Sequence, residues 1–138
     1  MTIYNDLIFK TRLEAQWAAF FDLAGWDWRS NPAPVGDWCP DFRVTFPCDH
    51  SECRDSHTLL VSVVPTESKD VLAAHPARKH CYEATGFPGV DAGAAFGSNP
   101  EATVWEFSHG AGGGVFEVPF FVEADAAVLW KKAGELVR

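Results

Sequence analysis

The 138-residue chain is 47% hydrophobic and 14% aromatic and carries a formal net charge of −8. That composition excludes a disordered segment and suffices for one domain over residues 1–138, burying roughly two-thirds of its unfolded surface. The acidic balance argues against broad, sequence-independent nucleic-acid binding, which draws on Lys and Arg to neutralise phosphates, and suits a soluble domain or one whose acidic face meets a basic protein surface.

In chain order, residues 1–10, with Ile3, Leu7 and Phe9, read as a lead-in that covers the core. Thr11 with Glu14 three residues on is a capping-box pattern. Leu13, Trp17, Phe20, Phe21 and Ala24 then fall on one helical face, and Gly25 stands where a C-terminal cap is expected. Glu14 lies at the edge of that stripe, partly desolvated near a sheet. Trp26 to Arg29 alternates as a strand, and Ser30 to Pro34 is turn-rich. Phe42, Val44 and Phe46 alternate with Asp41, Arg43 and Thr45, the period of a half-buried strand. His57 to Val64 is apolar enough for a strand covered on both faces.

Thr66 to Ala74 reads as a short helix stopped by Pro76. Residues 75–90 give no clear pattern, and Asp91 to Phe96 reads as a strand of small residues. Thr103–Phe107 and Val115–Val122 read as strands joined by a flexible glycine loop, since no helix follows residues 110–114 as a phosphate cradle requires. Asp125 caps a last helix with Ala126, Leu129, Trp130, Ala133 and Leu136 or Val137 on one face. The order suits an α/β core with a mixed central sheet flanked by helices. No signal-peptide core and no apolar run of about 18 residues occurs, so a cytoplasmic location is expected, with the four cysteines as thiols or ligands rather than disulfides.

Arg12-Leu13-Glu14-Ala15-Gln16-Trp17-Ala18-Ala19-Phe20-Phe21-Asp22, then Cys39-Pro40-Asp41-Phe42, then Val61-Ser62-Val63-Val64-Pro65 occur in an order and spacing that resemble the PD-(D/E)XK, or restriction-endonuclease-like, nuclease superfamily, specifically its small bacterial and phage-type members. The resemblance spans about residues 3 to 66. It implies a restriction-endonuclease-like core, with Glu14 and Asp41 as carboxylates of a Mg²⁺ site that polarises a scissile phosphate and activates water. It also marks a departure. Where relatives carry Glu-x-Lys, this chain has Ser62-Val63-Val64, and neither Ser62 nor Val64 supplies a carboxylate or an ammonium. Glu14 and Asp41 are therefore expected to be vestigial catalytic residues. Glu67-Ser68-Lys69 is itself Glu-x-Lys, but an offset of five residues reverses the strand face.

Cys48, His50, Cys53 and His57 offer two thiols and two imidazoles in ten residues, all zinc ligand types, in a spacing that matches no standard motif. A structural Zn²⁺, joined by Cys39, and a metal-free polar loop are the two readings. His75, Arg78, Lys79 and His80 form the compact basic cluster, readable as a solvated loop or a phosphate contact. The expectation is a catalytically degenerate nuclease-fold protein that binds a protein partner, such as a mobile-element inhibitor of a host nucleic-acid-processing or CRISPR-type defence complex. The alternatives are a Mg²⁺-dependent nuclease with a rearranged site using Glu14, Asp41 and Glu67 or Lys69, and a DNA-binding pseudo-nuclease.

Overall fold

A computed structural model of the chain describes residues 2–48, 56–79, 90–109 and 112–137. Helix α1 (Arg12–Ala24) begins as its sequence requires. The Thr11 side chain accepts from the Glu14 N–H at 3.1 Å, while the Thr11 N–H donates to the Glu14 carboxylate at 3.3 Å. It ends at Gly25, whose φ of 77° is left-handed and unstrained only for glycine. One face of α1 buries Ala15, Trp17, Ala18, Ala19, Phe20 and Phe21.

That face lies on a six-stranded mixed sheet. Its order is β3 (Asp27–Ser30), β4 (Phe42–Pro47), β5 (Ser56–Val63), β6 (Ala92–Phe96), β7 (Thr103–His109) and β8 (Gly112–Phe116), after a separate hairpin of β1 (Thr2–Tyr4) and β2 (Leu7–Phe9). Neighbours run antiparallel except β5 and β6, which are parallel and joined through α2 (Lys69–Ala73) and the 3₁₀ turn Pro76–Lys79. Alternation sorts the strands cleanly. Phe42, Val44, Phe46, Leu59, Val61, Ala94, Phe96, Trp105 and Phe107 face α1 and α3 (Ala126–Leu136), while Leu60, Ala95 and Val104 face Val35, Trp38 and α2. Counted over the described residues, three helices flank the sheet, one face covered by α1 and α3 and the other in part by α2.

The small residues of β6 make that packing possible. Ala94 leaves room for the aromatic layer, in which Trp17 meets Phe96 at 4.8 Å and Trp130 at 4.6 Å between ring centroids. On the opposite face Gly93 lies so close to the Ala77 carbonyl that an added Cβ would stand 2.4 Å from it.

Several expectations change. The lead-in is a hairpin turning on Asn5 and Asp6, both at positive φ, and of its apolar residues only Phe9 is buried; Ile3, Leu7 and Ile8 are exposed. Gly112–Gly114, expected in a loop, are strand residues paired with Phe107–His109. The strand expected over Val115–Val122 ends at Phe116, because Pro119 has no N–H to continue a ladder and Val118–Phe121 closes into a 3₁₀ turn. At the last helix Val137 is buried and Leu136 exposed. Among the described residues no helix is long and apolar enough to cross a membrane.

Candidate functional site: a carboxylate pair bridged by lysine

Asp41 stands at the mouth of β4, held by its own backbone between the two flanking strands. Its N–H donates to the Val61 carbonyl at 2.7 Å and its carbonyl accepts from the Asn31 N–H at 2.9 Å. Its side chain reaches across to β5, where Oδ2 accepts from the Val63 N–H at 2.7 Å. The two backbone bonds fix the residue, and the third holds one oxygen of its carboxylate. Glu14 arrives from the first turn of α1, only 7% exposed.

A third group completes the cluster. Lys10, the residue between β2 and the Thr11 cap, places Nζ 3.4 Å from Asp41 Oδ1 and 3.8 Å from Glu14 Oε1. Burial pushes the Glu14 carboxyl above its ordinary range, the hydrogen bond and charge of Asp41 push it further, and Lys10 with the Thr11 N–H pulls it back. Lys10 is itself held up by the charge of Asp41 and then of Glu14. His75 is nearby: burial lowers its pKa, and the negative charge of Asp41 opposes that. The resemblance to nucleases gave no hint of Lys10. Its available signal was its place four residues before Glu14, the spacing of a helical ion pair.

Ser62 and Val64, the positions where the resemblance would place Glu and Lys, have other neighbours. Ser62 is buried and its Oγ accepts from the Trp38 indole N–H at 2.7 Å. Val64 packs beside Leu72, Ala95, Ala102 and Val104. Trp38 thus covers Ser62. The shifted Lys69 is committed elsewhere, donating to the Thr103 carbonyl and to Glu117 Oε2, both at 2.7 Å.

A resident Mg²⁺ draws on carboxylate oxygens that are open to the ion and to its waters. Here Asp41 Oδ2 is taken by the Val63 N–H, Glu14 Oε2 by the Thr11 N–H, and the remaining oxygen of each faces the Lys10 ammonium. An ammonium sits where a divalent ion would, so the donor set as folded does not fit one. The arrangement can hold a proton on Glu14 and keeps an exposed positive charge beside the two carboxylates.

The Cys/His stretch falls at the β4–β5 hairpin, where Pro47 pairs with Ser56 and Phe46 with His57. His50 and Cys53 lie outside the described residues. His57 turns into the aromatic core, 4.4 Å from Phe107 by ring centroid, with Nδ1 3.5 Å from Asp91 Oδ2. Cys48 lines a groove with Trp26, Phe121 and Leu129, and Cys39 is exposed. Among the described residues no three His, Cys, Asp or Glu side chains gather as a metal site would need. In the basic cluster, Arg78 Nη2 lies 3.7 Å from Glu106 Oε1 and is mostly buried, while His80 lies outside the described residues.

No family model, no curated protein and no solved structure matches the chain.

Proposed function

We propose that this chain is a restriction-endonuclease-like scaffold that no longer hydrolyses nucleic acid and works by occupying a protein partner, as a mobile-element inhibitor of a nucleic-acid-processing or CRISPR-type defence complex would. The observation that carries the reading is the Trp38–Ser62 hydrogen bond together with apolar Val64, at the two positions where a nuclease of this kind needs Glu and Lys. The succession of helix, three antiparallel strands, helical crossover and parallel strand supports the scaffold half of the reading. The net charge of −8 supports the partner half, since such a surface repels phosphates and attracts basic protein surfaces.

Loss of a single electrostatic group of a catalytic site costs on the order of 10²–10³ in rate, so a site lacking two retains little. A plasmid-nicking assay in Mg²⁺ or Mn²⁺ tests this directly. The expected result is no cleavage above background. Cleavage that disappears in Asp41→Asn, which keeps the acceptor for the Val63 N–H, overturns the reading. Capture of a stoichiometric protein from host cells, released by rising salt, is expected for the partner half, and its failure removes that half alone.

A further inference from the structure

The sheet face opposite α1 carries a feature at odds with the acidic molecule around it. In the register of β3 on β4, Arg29 and Arg43 are direct cross-strand partners. Both project to that face, since Trp28, Phe42 and Val44 beside them pack toward α1. Like charges directly opposite on a sheet destabilise the pair, and a carboxylate from a neighbouring strand would ordinarily relieve them. None does. Arg43 has apolar Leu60 on its other side, and among the described residues neither guanidinium has a carboxylate within ion-pair distance.

The two arginines line an open depression of about 570 Å³ with Asp27, Trp28 and Thr45 at this edge of the sheet. Asp27 is the partner of Thr45 in the register, one step diagonal from Arg43. It leaves the depression with two positive charges against one negative. The Thr45 hydroxyl shares a 2.9 Å hydrogen bond with that of Thr58. When Thr58 donates, the Thr45 O–H is turned outward as a third donor beside the guanidiniums.

The geometry points to a phosphate-binding site at Arg29 and Arg43, with Thr45 as a further donor, that takes a terminal phosphate or a phosphodiester of a single strand. Two planar forks and a hydroxyl offer more donors than one carboxylate can accept, whereas a phosphate has three or more oxygens to receive them. Bound phosphate removes the cross-strand repulsion that the free protein carries. The site is independent of the nuclease-scaffold reading and lies on the face away from α1.

The probes are inorganic phosphate, followed by NMR at the arginine Nε–Hε groups, and a fluorescein-labelled single-stranded oligothymidylate, followed by anisotropy at low salt, with polyglutamate as the carboxylate control. Arg29→Gln and Arg43→Gln are each expected to weaken binding about fivefold to tenfold, and the double variant to abolish it. The log–log salt slope for the strand is expected near −1.4, for two contacts, in the parent protein and near zero in the double variant. Shifts with inorganic phosphate assign the site to a terminal phosphate, and a response to the strand alone assigns it to a phosphodiester; both support the site. Because Arg29 is exposed on an edge strand, its replacement leaves the fold intact, and melting in phosphate against chloride at equal ionic strength gives a second measure, with the parent stabilised and the double variant not. Affinity unchanged by the substitutions, polyglutamate bound as tightly as the strand, or no response to either phosphate probe overturns the assignment.

Discussion

Glu14 is both a helix cap and one half of a close carboxylate pair, and the two roles pull on its proton in opposite directions. The N–H of Thr11 favours the charged form, while burial and Asp41 favour the neutral one, and the second influence wins. A carboxyl whose pKa is raised on folding contributes stability that is full below its unfolded value and lost as pH rises through its folded value. Stability should therefore decline from about pH 4.5, the ordinary value for this group, toward neutrality. In Glu14→Gln, which still accepts from Thr11, that decline should vanish and the protein should be more stable at pH 7. Denaturant melts at several pH values check this, and parallel profiles for the two proteins would refute it. Lys10→Met removes the compensating charge and should lower stability at pH 7 by about 0.2–1 kcal/mol, the range for an exposed pair. Tyr4 shows the same physics at the other end of α1: burial, then its hydrogen bond to Asp22, pushes its phenol up to about 12.

Among the elements, α1 and β6 set the position of the candidate site. The first turn of α1 presents Glu14 to Asp41 only while the capping box holds, so Thr11→Ala should cost about 1 kcal/mol and loosen the cluster, read as a lower melting temperature and a Glu14 titration moved toward its ordinary range. On β6, Gly93 gives Trp38 and the Ala77 carbonyl their room; a Cβ there would stand 3.0 Å from the Trp38 ring as well as against the carbonyl. Gly93→Ala should destabilise by about 1–3 kcal/mol through overpacking and push Trp38 off Ser62, changing tryptophan emission. An unchanged melt and spectrum would show that the indole is not seated as described.

For the molecule as a whole, the scaffold proposal predicts what restoring the motif should do. Ser62→Glu with Val64→Lys places a carboxylate opposite Asp41 and an ammonium beyond it. That variant should gain a rise in melting temperature with Mg²⁺ that the parent lacks, because an ion bound only by the folded state stabilises it. A variant that folds and ignores Mg²⁺ would count against the scaffold. The aromatic layer between the sheet and the α1–α3 pair is expected to carry these two substitutions, since it is built from Trp17, Phe20, Phe21, Phe96 and Trp105, all fully buried.

Local periodicity determined the capping box, the inward stripe of α1, the two-sided burial of β5 and the Asp125 cap of α3, because each depends on residues within about one turn or two pleats of one another. Glu14 stood out as the capping residue at the edge of the α1 stripe, and Asp41 as the residue of a Pro-Asp pair opening a strand, while the resemblance to nucleases is what joined the two. Tertiary structure alone decided that Lys10 stands between them, that Trp38 covers Ser62, that His57 meets Asp91, and that Arg29 lies beside Arg43. These are contacts across strands or from a hairpin onto a helix, fixed by register and close packing, and apart from the four-residue step from Lys10 to Glu14 no spacing along the chain encodes them. The glycines of β8 misled for the converse reason: glycine marks a turn only when no partner strand claims its backbone, and here β7 does.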